Sequence, residues 1–261
     1  MLGEIEKHHG ILERFSIDSF TFSHPSFEEY FAARYLIAKR IDFENIKKYY
    51  DDKRWSNVIE FVVAMHENPV NILSFLKEQS GMGTLKNYPA LARRTERLWL
   101  LYRCMNTGAA LDPTIRVGLY KHLVDAQISM ARVYENGGVI PIARLVKDGV
   151  KHSYVYFRKR HTLYSALQPL RLLANQILVS PSEEYANIVV EKLKVLPVPQ
   201  EEVGRKYSYP ALKLCLSIPI ASIRPKEVVN VLEEIIEQRE PEFFSEIAKE
   251  SKAVLEKGLF I

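Results

Sequence analysis

Residues 20–36 read FTFSHPSFEEYFAARYL, and this stretch decides how the start of the chain folds. Phe20, Phe22 and His24 alternate with small hydroxyl residues, which is the period-two pattern of a short, half-buried strand. Pro25 ends the strand, and aromatic residues then recur at helical spacing. The stretch therefore predicts a strand that turns at a sharp corner into an aromatic helix, with a histidine at the junction.

The start of that helix carries a capping signal. Ser26 and Glu29 have the S-x-x-E spacing of a capping box, in which the serine hydroxyl and the glutamate carboxylate each accept a backbone N–H bond. We therefore expect Ser26 to be the N-cap. A hydroxyl committed to the backbone also excludes a catalytic triad of His24, Ser26 and Glu28.

A second strand is predicted just before this corner. Leu12 and Phe15 are expected to pair with Phe20 and Phe22 across a turn at residues 16–19. An isolated hairpin is marginally stable in water, so it must pack on the following helix or on another domain.

The corner resembles the motif that closes the winged-helix domain of NACHT-type STAND NTPases, which usually reads F-x-F-x-H-x-S-F-Q/E-E-Y-F-A-A-x-Y-L. Residues 20–36 follow this pattern nearly throughout, and residues 10–15 (GILERF) fit the first strand of the wing. The structural positions of the motif are Phe22, Pro25, Ser26, Phe27, Glu29, Tyr30 and Phe31. The resemblance covers about thirty residues and implies little beyond residue 80.

The resemblance implies a domain organisation and a role for one histidine. Residues 1–40 would be the end of a winged-helix domain, and residues 41–261 a helical sensor and regulatory domain with hinges near 81–83 and 197–204. In the family, the histidine at the position of His24 contacts the phosphates of bound ADP. The family detects a ligand and oligomerises to signal, in bacteria often for antiviral defence.

The catalytic module of that family has no counterpart in this sequence. No segment matches G-x-x-x-x-G-K-[ST], because residues 81–86 (GMGTLK) have the wrong spacing. We therefore expect no enzyme activity and no cofactor in this chain, with ATP or ADP and Mg²⁺ belonging to the parent protein. The chain would be a fragment or a separately supplied part, it would partner an NTPase module in cis or in trans, and it would oligomerise only with that module.

Composition predicts a mostly helical protein with no membrane segment. Apolar residues make up 47% of the chain, charged residues 26%, and there are 11 glycines, a low number that favours helices. No apolar run approaches the ~20 residues of a membrane helix. Cys104 and Cys215 lie among apolar neighbours without further ligand residues, so we expect buried, reduced thiols in a cytoplasmic protein and no metal site.

Successive short amphipathic segments predict the fold class. We expect an all-α protein, a curved HEAT-like α-solenoid that follows the winged-helix hairpin. Asp112-Pro113 is predicted to be an N-cap followed by proline at the first helical position. Residues 180–184 (SPSEE) are predicted to start another helix. No second copy of a repeat is found at a fixed period.

The middle of the chain is basic. Residues 85–171 hold fifteen Lys or Arg and five acids, whereas the whole chain has a net charge of +4. Residues 151–161 (KHSYVYFRKRH) interleave basic and aromatic side chains, as single-stranded nucleic acid binding requires. The proposed ligand surface comprises Arg93, Arg94, Arg97, Lys151, Arg158, Lys159 and Arg160. A buried aromatic stripe with a solvated basic edge explains the same pattern.

The sequence leaves alternatives to a sensor open. One is a stand-alone nucleic-acid-binding α-solenoid that uses the basic middle, so that the partner is either a protein or a nucleic acid. Another is a decayed reading frame, which an exposed apolar face around Phe27 and Phe31 would favour. The acidic pair Glu233-Glu234 is expected to be solvated and only to aid solubility.

Overall fold

The computed structural model describes residues 10–16, 19–40, 46–81, 88–133, 138–146, 149–157, 182–198, 200, 209–238 and 242–257. In chain order the elements in these ranges are β1 (Leu12–Ser16), β2 (Ser19–Phe22), α1 (Pro25–Ala38), α2 (Ser56–Met65), α3 (Val70–Gly81), α4 (Tyr88–Met105), α5 (Pro113–Val133), β3 (Gly138–Val146), β4 (Gly149–Phe157), α6 (Glu183–Lys194), α7 (Tyr209–Ser217), α8 (Pro225–Glu237) and α9 (Glu242–Glu256). Short 3₁₀ turns lie at Lys47–Tyr49, Lys53–Trp55 and Ile218–Ile220.

The fold is therefore mostly helical, as predicted, and it divides into two compact units. The first unit comprises Met1–Leu76 with Leu100–Leu111, and the second comprises Lys77–Trp99 with Asp112–Ile261. Helices α3 and α4 each contribute residues to both units. No helix among the described residues combines the length and apolar character needed to cross a bilayer.

In the first unit, β1 and β2 form an antiparallel hairpin. Leu12 lies opposite Phe22, as predicted, but Phe20 lies opposite Arg14 and not Phe15. The register shifts between Arg14 and Ser16, and Phe15 at that irregularity is 80% exposed. The predicted pairing of Phe15 is wrong because side chains alternate along a strand, so that Arg14, and not Phe15, shares the face of Leu12 and lies opposite Phe20.

Helix α1 packs on α2, and this pair contains the core next to the hairpin. Ala33 is fully buried on α1, where the lack of a long side chain lets α2 approach closely. The ring of Tyr30 meets Phe61 edge-on at 5.8 Å between centroids. On α2, Val58, Ile59, Val62 and Val63 form a buried apolar face, and His66 is exposed just after the helix ends.

The end of α4 completes the core of the first unit. Leu101, Tyr102 and Cys104 have no exposed surface. Burial raises the pKa of the Cys104 thiol, and the negative charge of Glu60 acts in the same direction. The predicted buried thiol is confirmed for Cys104, whereas the side chain of Cys215 lies outside the described residues.

In the second unit, two helix starts follow the sequence prediction. The Asp112 carboxylate accepts an N–H bond from Thr114 at 2.8 Å ahead of α5, and this bond holds the pKa of Asp112 below its usual value. Ser182 caps α6 through the amide of Tyr185 at 3.4 Å. The buried Tyr185 hydroxyl in turn lies 3.0 Å from the amide nitrogen of Gln127, which joins α6 to α5.

Helices α7, α8 and α9 pack in succession in the same unit. Glu233 on α8 binds the ammonium of Lys252 on α9 at 2.6 Å, and Glu234 binds that of Lys213 on α7 at 2.5 Å. Both acids are exposed, as expected. However, the expectation that they only aid solubility is wrong, because each one joins α8 to a different neighbouring helix.

The second unit also contains a β-hairpin, which was not predicted. Strands β3 and β4 pair from Gly138 opposite Phe157 to Val146 opposite Gly149, with two residues between them in the sequence. Strand β3 lies against α7 and α9. The residues between Val139 and Phe157 are rich in β-branched and aromatic types around an Asp-Gly pair, a hairpin signal that the sequence analysis missed.

Candidate functional site

The histidine of the corner is itself the cap of α1. His24 has an extended backbone (φ −142°, ψ 138°), and its Nδ1 accepts the backbone N–H of Ser26 at 3.1 Å. The predicted Ser26–Glu29 capping box is therefore wrong. Pro25 occupies the first helical turn, where it needs no N–H partner, and this places the cap at the residue before it.

This capping bond determines what the corner presents to solvent. Because Nδ1 of His24 accepts a bond, the ring proton lies on Nε2, and the side chain is exposed. The amides around it are largely committed: Ser26 N–H bonds the ring, Phe27 N–H bonds the His24 carbonyl at 3.0 Å, and Pro25 has none. The donors left for an anion at the corner are therefore the Nε2–H of His24 and the exposed Ser26 hydroxyl, and the exposed Glu28 carboxylate in the same turn opposes an anion.

Glu29 holds the corner to the rest of the first unit. Its carboxylate accepts the side-chain amide of Asn57 on α2 at 2.7 Å. The carbonyl of that amide accepts the guanidinium of Arg103 on α4 at 2.6 Å, and Arg103 also pairs with Glu60. A polar chain thus links α1, α2 and α4, and Glu29 has a positioning role that the capping box does not describe.

Aromatic side chains on the hairpin and α1 are left uncovered by the described residues. Phe31 stacks on Phe22 at 5.8 Å between centroids, which fixes α1 against β2. Nevertheless Phe31 remains 43% exposed, Tyr35 58% and Phe27 37%, and all three lie on α1. Large apolar side chains exposed together on one element are typical of an interaction surface.

Of the predicted basic surface, the structure describes the side chains of Arg93, Arg94 and Arg97 and the backbone of Lys151. On α4, Arg93 is exposed, burial of Arg94 lowers the pKa of its guanidinium, and Arg97 donates to the backbone carbonyl of Gln79 at 3.0 Å. Lys151 lies on β4 with its Cα opposite that of Arg144. Residues 158–160 lie outside the described residues.

A buried hydroxyl–imidazole pair in the second unit was missed by sequence reasoning. The Ser80 hydroxyl lies 2.8 Å from His122 Nε2 and donates to the carbonyl of Lys77, also at 2.8 Å. Since the hydroxyl proton is used on the carbonyl, the histidine donates its Nε2–H to Ser80. Ser80 has no exposed surface, so this arrangement is structural and does not activate a nucleophile.

Neither a metal site nor a known relative was found that would assign a function to this chain. Over the described ranges, no three His, Cys, Asp or Glu side chains are placed to hold a metal ion. The chain matches no family model, no curated protein and no solved structure.

Proposed function

We propose that this chain is the sensor and regulatory part of a NACHT-type STAND NTPase, with residues 1–40 forming the end of the winged-helix domain. The observation that carries the proposal is the corner itself. A hairpin leads through an extended His24 into a helix, and His24 caps that helix while presenting its Nε2–H to solvent. The sequence resemblance over residues 20–36 supplies the family.

In this proposal, His24 would donate its Nε2–H to a phosphate of ADP bound in a separate NTPase module. The bond from Ser26 to Nδ1 fixes both the tautomer and the ring orientation, so the donor is preorganised. The partial positive charge of the α1 amino terminus adds to the attraction of an anion. Loss of this bond when nucleotide exchanges would release the winged-helix domain and switch the protein.

The exposed aromatic residues of α1 fit the same proposal. Phe27, Phe31 and Tyr35 would be covered by the NTPase module, in cis or in trans. Residues 41–261 would form a HEAT-like helical array that recognises a ligand, for signalling of the antiviral kind. The alternative of a decayed reading frame also predicts exposed aromatic residues. It differs in predicting that the chain aggregates both when it is expressed alone and when it is co-expressed with an NTPase module.

The first test is the coding sequence upstream of Met1 together with the intact mass of the native product. An in-frame segment with the G-x-x-x-x-G-K-[ST] motif and a product heavier than 30.2 kDa are the expected results. A stop codon directly upstream and a native mass of 30.2 kDa, without a separately encoded NTPase that binds this chain, would overturn the proposal.

The second test addresses His24 in the nucleotide-bound protein. His24→Asn keeps a side-chain cap but removes the ring donor, so ADP should dissociate faster from the variant at unchanged folding stability. Ser26→Ala is the matched control, because it keeps the backbone N–H that binds the His24 ring and keeps the ring donor itself. Equal ADP release from wild type and His24→Asn would remove His24 from the nucleotide site.

A stand-alone nucleic-acid binder is the second candidate. The observation that favours it is the β3–β4 hairpin. In this hairpin the basic residues Arg144 and Lys151 lie opposite each other on the two strands, and His152 follows Lys151. Binding of single-stranded RNA should then weaken steeply as salt rises and be lost in a triple alanine variant of Arg158, Lys159 and Arg160. A salt-insensitive or absent RNA complex would contradict it.

A further inference from the structure

We infer that a cleft in the first unit binds a small anionic amphiphile, a molecule with an apolar body and a carboxylate or similar head group. The cleft has a volume of about 500 Å³ and lies between the end of α1, the end of α2 and the start of α3. This volume is in the range of small-molecule sites, roughly 300–1,000 Å³. The site is separate from the His24 corner, and the inference does not rest on the proposed function.

The floor of the cleft is apolar. Ile46, Val62 and Ile72 line it, and each of these side chains is buried. Leu36 and Met65 extend the apolar lining while remaining partly exposed. These side chains offer no strong hydrogen-bonding group to a ligand, so the part of a molecule that enters the cleft must be apolar.

The rim is polar and rich in donors. Arg40, His66 and Asn71 line it, and all three side chains are exposed. Nδ1 of His66 accepts the backbone N–H of Asn68 at 3.0 Å, which leaves the ring proton on Nε2 as a donor. Asn71 adds an amide in the first turn of α3.

Arg40 is the rim residue that determines the charge of the ligand. Among the described residues no carboxylate pairs with its guanidinium. Its backbone has φ 49°, a left-handed conformation that is unfavourable for a residue with a Cβ, and its N–H bonds the Ile37 carbonyl at 2.9 Å. This is the conformation of a residue that ends a helix, and glycine would adopt it without strain.

One acid also lies on the rim. Glu67 lines the cleft and is exposed, and it would repel an anion placed beside it. Among the described residues of the rim, Arg40, His66 and Asn71 carry donors and Glu67 carries a carboxylate. A planar guanidinium binds a carboxylate through two parallel bonds. An anionic head group at Arg40 with its apolar body on Ile46, Val62 and Ile72 satisfies the floor and the rim together.

Sodium octanoate is the probe that tests this inference on the whole chain. Titration calorimetry should give saturable binding of octanoate, whereas acetate, which lacks the apolar body, and octan-1-ol, which lacks the charge, should each bind at least tenfold more weakly. Absence of saturable octanoate binding below the concentration at which it self-associates would overturn the inference. So would equal affinities for octanoate and octan-1-ol.

Two variants place the binding in this cleft. Arg40→Gly removes the guanidinium and relieves the left-handed backbone, so the variant should fold and bind octanoate about tenfold or more weakly. Asn71→Phe on the exposed rim should obstruct the mouth and abolish binding. Arg34→Gln and Ser74→Phe, exposed positions on α1 and α3 outside the cleft lining, are the matched controls and should bind octanoate as the wild type does. Wild-type affinity in both cleft variants would refute the site.

Discussion

Ser80 on α3 and His122 on α5 form a hydroxyl–imidazole contact of 2.8 Å inside the second unit. Burial lowers the pKa of His122, the positive charges of Lys77 and Arg94 lower it further, and Asp125 acts in the opposite direction. The folded protein therefore holds this histidine in its uncharged form more strongly than the unfolded chain does.

The pair makes stability depend on pH in a defined direction. The unfolded chain takes up a proton near the ordinary pKa of 6.5, and the folded protein does so only at lower pH. The unfolded state therefore binds more protons between the two values, and the free energy of unfolding should fall as pH drops below 6.5. Urea denaturation of wild type and His122→Gln at a series of pH values measures this, and an equally steep decline in the variant would contradict the assignment.

The cap of α1 can be distinguished from the capping box by three substitutions. His24→Ala should lower the free energy of unfolding by about 1 kcal/mol, because the Ser26 amide loses its partner. His24→Asn should restore most of that loss, since asparagine is a strong N-cap. Ser26→Ala should stay within about 0.5 kcal/mol of the wild type. A larger loss for Ser26→Ala than for His24→Ala, measured by chemical denaturation, would reinstate the capping box.

The polar chain through Asn57 should show coupled energetics. Asn57→Ala removes both the partner of Glu29 and one partner of Arg103, so we expect a loss of about 1–3 kcal/mol in the free energy of unfolding. Combining it with Glu29→Ala should cost less than the sum of the two single changes. Glu28→Ala, an exposed neighbour on α1, is the control and should change stability by less than about 0.5 kcal/mol. Strict additivity would show that the bond between Glu29 and Asn57 contributes no interaction energy.

The two acids of α8 should differ in their contributions although they are adjacent in sequence. Lys213 is 3% exposed and also lies over the ring of Tyr209 at 4.5 Å. Glu234→Gln leaves this buried ammonium without its carboxylate and should cost about 1–3 kcal/mol. Glu233→Gln breaks a more exposed pair with Lys252 and should cost less than about 1 kcal/mol.

The double variant Lys213→Met/Glu234→Gln tests the cause of that difference. If the cost of Glu234→Gln arises from the buried charge, an apolar side chain of similar length at position 213 should recover most of it. Thermal unfolding of the wild type, Lys213→Met, Glu234→Gln and the double variant gives the comparison. No recovery in the double variant would mean that α7 and α8 need the ion pair itself.

Elements with a strong local signal were predictable from the sequence. The cap at Asp112 and a helix start within residues 180–184 follow from spacing and side-chain chemistry alone, and the structure has both where predicted. The hairpin and helix that surround His24 were predicted for the same reason.

The errors arise where competing local signals or tertiary contacts decide. Ser26 has the sequence of a cap, but Pro25 prefers the first turn and shifts the cap to His24. The irregularity at Phe15 depends on how the whole strand pairs. Neither the Ser80–His122 contact nor the cleft under Arg40 has a sequence signature, because each joins residues that only folding brings together.

The buried thiol of Cys104 has one more consequence. A thiol is reactive as the thiolate, and this one is both enclosed and held protonated by burial and by the charge of Glu60. An alkylating reagent can therefore modify Cys104 only in the fraction of molecules whose first unit has opened. The rate of its modification, followed as a mass increase on the peptide that contains it, therefore reports how often that core opens.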